Sequence, residues 1–211
     1  EVGNVVNMSY MFGWAYAFNK DISNWNVNKV VYMNNMFATA TDFNQDISNW
    51  NVSGVTNMGN IFDGALAFNK DIGNWDVRNV TNMYLMFAGA HAFNQDISEW
   101  NVGSVTNMYG MFAYTKNFNK DISKKEVTNT YGTYIAWDVG NVTNMANMFE
   151  NASAFDQNIS NWTLNVNVNI TDMFKGASTM TESFKPGFEW APTLTLINFV
   201  DPTHPPTFRA T

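Results

Sequence analysis

The side chains most often used in catalysis are scarce here outside a repeating pattern. The sequence has 211 residues, no cysteine and two histidines, His91 and His204. His91 occupies a variable position of the repeat and His204 lies in a proline-rich tail, so neither belongs to a cluster of nucleophile, base and orienting group. We therefore predict no catalytic residue, no cofactor and no metal site, and we predict that the chain is not an enzyme.

A row of aspartates is the one regular source of carboxylates. Its members are spaced by 25 residues: Asp21, Asp46, Asp71, Asp96 and Asp121. Calcium prefers several oxygen ligands, and one carboxylate per repeat supplies few of them. Each of these aspartates is followed by isoleucine, so a hydrogen bond from the local backbone to the carboxylate is the favoured interpretation.

A row of tryptophans offers a second kind of chemistry, because exposed indoles make stacking platforms for sugar rings or polymers. Its first four members are Trp25, Trp50, Trp75 and Trp100. Each is followed two residues later by valine, which puts both side chains on the same face of an extended segment. A face of that kind usually belongs to the core, so burial is favoured over an exposed binding stripe.

These rows are part of a tandem repeat that includes most of the chain. Further columns are formed by valine, methionine and phenylalanine, of which the last comprises Phe12, Phe37, Phe62, Phe87, Phe112, Phe149 and Phe174. A period of 20 to 50 residues is typical of solenoids and repeat arrays, in which each unit buries its apolar face against its neighbours. The sequence therefore predicts seven turns, stacked so that equivalent side chains form the core.

The pattern within one turn predicts a helix and a strand. From Val80 to Ala90, apolar residues recur at i, i+3, i+6, i+7 and i+10, the spacing of one helical face. Trp100 and Val102 then alternate with polar neighbours, as in a strand. The predicted fold class is an α/β repeat solenoid, similar to leucine-rich repeats, with a short helix and a short parallel strand in each turn of about 25 residues.

Two segments depart from the repeat. Residues 124–136 (KKEVTNTYGTYIA) delay the expected tryptophan until Trp137 and form an insertion. All five prolines lie at or beyond Pro186, where an edge-capping strand over residues 192–200 is expected before a proline-rich exit. The predicted domains are a single solenoid over residues 1–185 and a C-terminal cap and tail over residues 186–211. Because the first repeat begins almost at residue 1, we expect a processed product or an excerpt of a longer protein.

The repeated unit resembles a known family. The motif V-T-N-M-x-x-M-F-x-x-A-x-x-F-N-x-D-I-S-x-W-N-V occurs with local changes from Val55 to Val77 and from Val80 to Val102. It is similar to the repeats of BspA-like leucine-rich-repeat surface proteins, especially their mycoplasma-type branch. The resemblance implies display on a cell or particle surface, with adhesion or host-surface binding, and it supplies no catalytic residues.

Composition and charge narrow the possible partners. A formal net charge of -7 opposes nonspecific binding to nucleic acid. No apolar run is long enough to cross a membrane, so no direct membrane insertion is expected. We predict an extracellular or surface-exposed interaction module that binds a protein or glycan partner, with a structural role in a viral capsid, fibre or cell appendage as the alternative. The expected partner contacts lie in the insertion: Lys124, Lys125, Tyr131, Thr133 and Tyr134.

Overall fold

The computed structural model describes residues 1–187, and its main feature is a stack of 25-residue units. We call each unit a rung. Rungs 1 to 7 begin at Val5, Val30, Val55, Val80, Val105, Val142 and Asn167. Neighbouring rungs meet through parallel single-residue bridges that join Asn7, Tyr32, Asn57, Asn82, Asn107, Asn144 and Asn169 in that order. Equivalent residues of successive repeats therefore lie beside one another.

The predicted α/β solenoid with leucine-rich-repeat-like turns is wrong. Residues 1–187 contain no α-helix, and their only regular sheet is one antiparallel hairpin. The predicted strand at Trp100 and Val102 is not formed, because the Trp100 amide closes a turn on the Ile97 carbonyl at 3.1 Å. Parallel contact between rungs is made elsewhere in the repeat, at the position of Asn82. Each rung is thus a succession of turns.

Left-handed residues explain why the predicted helix does not form. Leu85 and Gly89 lie within it and have φ values of 50° and 65°, which interrupt a right-handed helix. The amides of Leu85 and Gly89 donate to the next rung at Tyr109 and Ala113, both at 2.8 Å, instead of to carbonyls four residues earlier. The apolar spacing of a helix is therefore produced here by turns whose amides alternate between local and inter-rung partners.

The predicted columns of large apolar side chains do form the core. One cluster of buried residues extends from Met8 to Met180. Phe62 stacks on Phe37 at 5.8 Å and on Phe87 at 5.7 Å, measured between ring centroids. Burial of aromatic and methionine side chains along the whole stack is the main stabilising contribution to this fold.

The tryptophan column belongs to this core and is not an exposed platform. Trp100 is 1% exposed, and its indole N–H donates to the carbonyl of Ile72 in the preceding rung at 3.2 Å. Similar bonds are made by Trp50, Trp75, Trp137 and Trp162. The polar atom of each of these indoles is thus satisfied inside the core.

The insertion forms the regular sheet. Strand β1 spans Lys125–Asn129 and strand β2 spans Gly132–Ala136, paired antiparallel with Val127 opposite Tyr134. A 3-10 helix at Glu182–Phe184 lies within rung 7. No helix of the described residues is long and apolar enough to cross a membrane. The predicted capping strand over residues 192–200 lies outside the described residues.

Candidate functional site

The β1–β2 hairpin is held by a two-residue loop of Thr130 and Tyr131. The side-chain oxygen of Asn129 accepts a hydrogen bond from the Tyr131 amide at 2.9 Å. Gly132 has a φ of 100°, which glycine adopts without strain. Across the strands, the hydroxyls of Thr128 and Thr133 are hydrogen-bonded at 2.8 Å. These contacts fix the hairpin shape and place Tyr131 at its tip.

The hairpin packs against rungs 3 and 4. The hydroxyl of Tyr134 donates to the Glu99 carbonyl in rung 4 at 2.7 Å and accepts from the Asn129 amide group at 2.9 Å. Partial burial is the main cause that raises the pKa of Tyr134, so this phenol stays protonated at neutral pH. Between the hairpin and rungs 3 and 4 lies a cleft of about 280 Å³.

Arg78 closes one side of this cleft. Its Nε lies 2.8 Å from the Asp76 carboxylate, and the hydrogen bond to that carboxylate raises the pKa of the guanidinium. The guanidinium also lies over the Tyr131 ring, 4.6 Å from its centroid. Both contacts hold the arginine in one orientation before any partner arrives. A charged group, two phenols and several amides thereby converge on one concavity.

The structure places the predicted contact residues in two groups. Tyr131 and Tyr134 both line the cleft, and Tyr131 is 53% exposed. Thr133 is paired with Thr128 across the hairpin, whereas Lys124 and Lys125 form ion pairs with Asp138 and Asp121 at 3.0 and 3.5 Å. Thr133, Lys124 and Lys125 lie outside the lining of the cleft. Tyr131 and Tyr134 therefore remain the best candidates for partner contacts.

Sequence reasoning missed Arg78, Asp76 and Glu99, which lie in ordinary repeats. A signal did exist for Arg78. It is the only arginine of rungs 1 to 7, and the equivalent positions of neighbouring repeats are occupied by Asn28, Ser53 and Gly103. A single large cation in a column of small polar residues marks a place where one repeat makes a contact that the others do not.

The aspartate row forms the predicted turns. The Asp96 carboxylate accepts from the Ser98 amide at 2.9 Å, and this backbone hydrogen bond is the main cause that lowers the pKa of Asp96. The same bond is made at Asp21, Asp46, Asp71 and Asp121. Within residues 1–187, no three histidine, cysteine or acidic side chains lie close enough to hold a metal ion.

Comparison with known proteins identifies one family. A family model described as "Mycoplasma protein of unknown function, DUF285" matches residues 1–79, 46–135 and 131–191. The three matches are consistent with mycoplasma-type repeats along the chain. No curated protein and no solved structure matches it.

Proposed function

The chain belongs to the Mycoplasma protein family of unknown function DUF285, and we propose that it is a non-catalytic interaction module of the BspA-like kind, exposed on a cell or particle surface. In this proposal the stack of rungs is a rigid support. The hairpin and its cleft bind a protein or glycan partner and so mediate adhesion. A fold does not determine a function by itself, so we assign partner binding to the cleft that this fold presents.

The observation that carries the proposal is the stacking of Arg78 on the half-exposed ring of Tyr131. Tyrosine and arginine are enriched among the residues that dominate binding energy at interfaces. Here Asp76 orients the Arg78 side chain, and Asn129 fixes the backbone of Tyr131, so less conformational entropy is lost on binding. Exposed amide and carboxylate groups around them supply hydrogen bonds to a peptide or a sugar.

Binding to cells tests the proposal. Fluorescently labelled protein is incubated with cultured epithelial cells, either intact, treated with trypsin or treated with glycosidases, and binding is measured by flow cytometry. We expect Tyr131→Ala and Arg78→Ala each to reduce saturable binding several-fold, while Tyr32→Ala is the matched control, since Tyr32 is 45% exposed on rung 2 and lies outside the cleft. Loss of binding after only one of the two enzyme treatments separates a protein partner from a glycan. Equal binding by all variants contradicts a role for the cleft.

A structural role in a larger assembly is the second candidate. Rung 1 exposes several large apolar side chains, among them Tyr10, Trp14 and Tyr16 at 51%, 56% and 58%. Exposed apolar patches of this kind are typical of contact surfaces. Analytical ultracentrifugation over a hundredfold concentration range tests this role: concentration-dependent association that Trp14→Ser abolishes supports it, and a constant monomer mass contradicts it.

A further inference from the structure

A second concavity lies in the part of the repeat where the left-handed residues occur. It has a volume of about 420 Å³ and crosses rungs 3 to 6. Small residues line it in the two middle rungs: Ala88, Gly89, Gly110 and Ala113. Larger side chains at the same positions would fill the space, so the sequence of these rungs creates a groove that runs across the stack. We call it the inter-rung groove.

Two stacked tyrosines line the inter-rung groove. The rings of Tyr84 and Tyr109 are 5.0 Å apart between centroids, with an angle of 13° between their planes. Their backbone amides are held by the side-chain oxygens of Asn82 and Asn107 at 3.1 and 3.0 Å. Both rings are partly exposed. They offer an apolar surface with negative ring faces, which attracts aliphatic chains and cations.

Two carboxylates lie at opposite ends of the inter-rung groove. Asp63 in rung 3 and Glu150 in rung 6 occupy equivalent positions of the repeat, separated by Ala88 and Ala113. With rungs spaced like parallel strands, three steps correspond to about 14 Å. The amide group of Asn147 donates to Glu150 at 2.5 Å and orients it toward this region.

Charge in the groove is incompletely compensated. Among residues 1–187, the Asp63 side chain has no hydrogen-bond or ion-pair partner, and burial raises the pKa of Asp63 to about 6. Lys175 follows Glu150 in the same column; its ammonium is paired with Asp172 at 3.3 Å, and its charge also interacts with Glu150. A cationic ligand would therefore meet two carboxylates, one of them without a counter-ion.

We propose that the inter-rung groove binds an extended peptide segment with lysine or arginine at positions i and i+4 and an apolar residue at i+2. In an extended chain, positions i and i+4 are about 13 Å apart and point to the same face, as position i+2 does. The spacing matches that of Asp63 and Glu150, and the central side chain then lies on Tyr84 and Tyr109. The net charge of -7 adds a long-range attraction for such a segment.

Titration with a defined peptide tests the proposal. The probe is the peptide acetyl-Lys-Ser-Leu-Ser-Lys-amide. Its binding to the intact chain is measured by isothermal titration calorimetry and by changes in amide chemical shifts, at pH 7.5 and low salt. We expect saturable binding with shifts confined to rungs 3 to 6. Asp63→Asn and Glu150→Gln, which preserve side-chain shape, are each expected to weaken binding by roughly twofold to fivefold.

Matched controls separate this site from general charge attraction. Asp46→Asn removes a carboxylate of rung 2 and keeps an oxygen for its turn with Ser48, so peptide affinity should be unchanged. A peptide with lysines at i and i+2 should bind roughly twofold to fivefold more weakly. Absence of saturable binding, or equal losses in all three variants, overturns the proposal. Deletion of residues 125–136 should leave peptide binding intact, so this result is independent of the hairpin function.

Discussion

At the residue scale, each indole of the inner tryptophan column joins two rungs. Trp100 donates to the Ile72 carbonyl, and both groups are buried. Trp100→Phe removes the donor, leaves that carbonyl with only the turn hydrogen bond from the Trp75 amide, and opens a small cavity. We expect the free energy of unfolding to fall by about 2–3 kcal/mol in urea titrations.

Trp25, the first member of the tryptophan column, supplies the control for this substitution. Trp25 is partly buried, and its indole N–H has no acceptor among residues 1–187. Trp25→Phe should therefore cost clearly less than Trp100→Phe. Equal losses at the two positions would show that the inter-rung hydrogen bond adds nothing beyond apolar burial.

Asp63 makes the free energy of unfolding depend on pH. Burial raises its pKa from 3.8 to about 6, so the folded protein retains the proton more strongly than the unfolded chain. The ionised group destabilises the fold above about pH 6, and this penalty is relieved as the pH falls to 3.8. We expect Asp63→Asn to raise the free energy of unfolding by about 1–2 kcal/mol at pH 7.5, after discounting for partial exposure, and by nothing below pH 3.8.

Thermal denaturation from pH 3.5 to 8 checks this expectation, with Asp46→Asn as the comparison. Hydrogen bonds from Ser48 lower the pKa of Asp46, so its ionised form favours the folded state and its contribution is lost as the pH falls. Asp46→Asn should therefore not stabilise the protein at pH 7.5. The same gain in both variants would mean that relief of net negative charge, and not burial of Asp63, is the cause.

At the element scale, each rung depends on two left-handed residues. Gly89 occupies one of them, and a Cβ added there would meet only Gly64, at ordinary distances of 3.7 and 3.8 Å. The effect of Gly89→Ala is therefore conformational, and we expect a loss of about 1–2 kcal/mol in chemical denaturation. Gly140→Ala is the control, because Gly140 has no positive φ and its nearest neighbour would lie at 3.5 Å. A similar loss at both glycines would remove backbone strain as the explanation.

The left-handed positions of each rung explain which features could be predicted from the sequence and which could not. The period, the columns and the burial of tryptophan follow from residue type alone, and these predictions are confirmed. The helix prediction failed because turns and a helix produce similar apolar spacing over eleven residues. The sequence did contain a signal against the helix. The positions equivalent to Leu85 are occupied by Asn35, Asn60 and Gly110, which are residue types that tolerate a left-handed backbone.

The candidate site was predictable in part for a related reason. An insertion rich in tyrosine stands out from a strict repeat, so Tyr131 and Tyr134 were found. Arg78 lies more than fifty residues earlier in the sequence. Its contact with Tyr131 depends on the direction in which the hairpin packs against the rungs. Sequence spacing does not determine that direction; the bond from Tyr134 to the Glu99 carbonyl does.

At the scale of the whole molecule, the hairpin is an addition to an otherwise continuous stack. Phe112 and Phe149 are 5.6 Å apart across the rungs that flank it, as elsewhere in the column. Removal of residues 125–136 joins Lys124 to Trp137 and restores the sequence D-I-S-K-W-D-V with a period of 25. We expect this variant to unfold cooperatively, with a change in the free energy of unfolding below about 2 kcal/mol. Val127 and Ala136 of the hairpin are buried in the core cluster, and loss of cooperative unfolding would show that the stack depends on their contacts.

The junction between Lys124 and Trp137 has a wider consequence. Rungs 2, 3, 4 and 6 contain an equivalent junction, such as the one between Asn49 and Trp50, next to a buried indole that anchors the returning chain. Unrelated sequences grafted at these points would emerge at regular intervals along one support. Such an architecture can diversify its recognition by acquiring or exchanging loops, while the packing that keeps the protein folded is inherited unchanged.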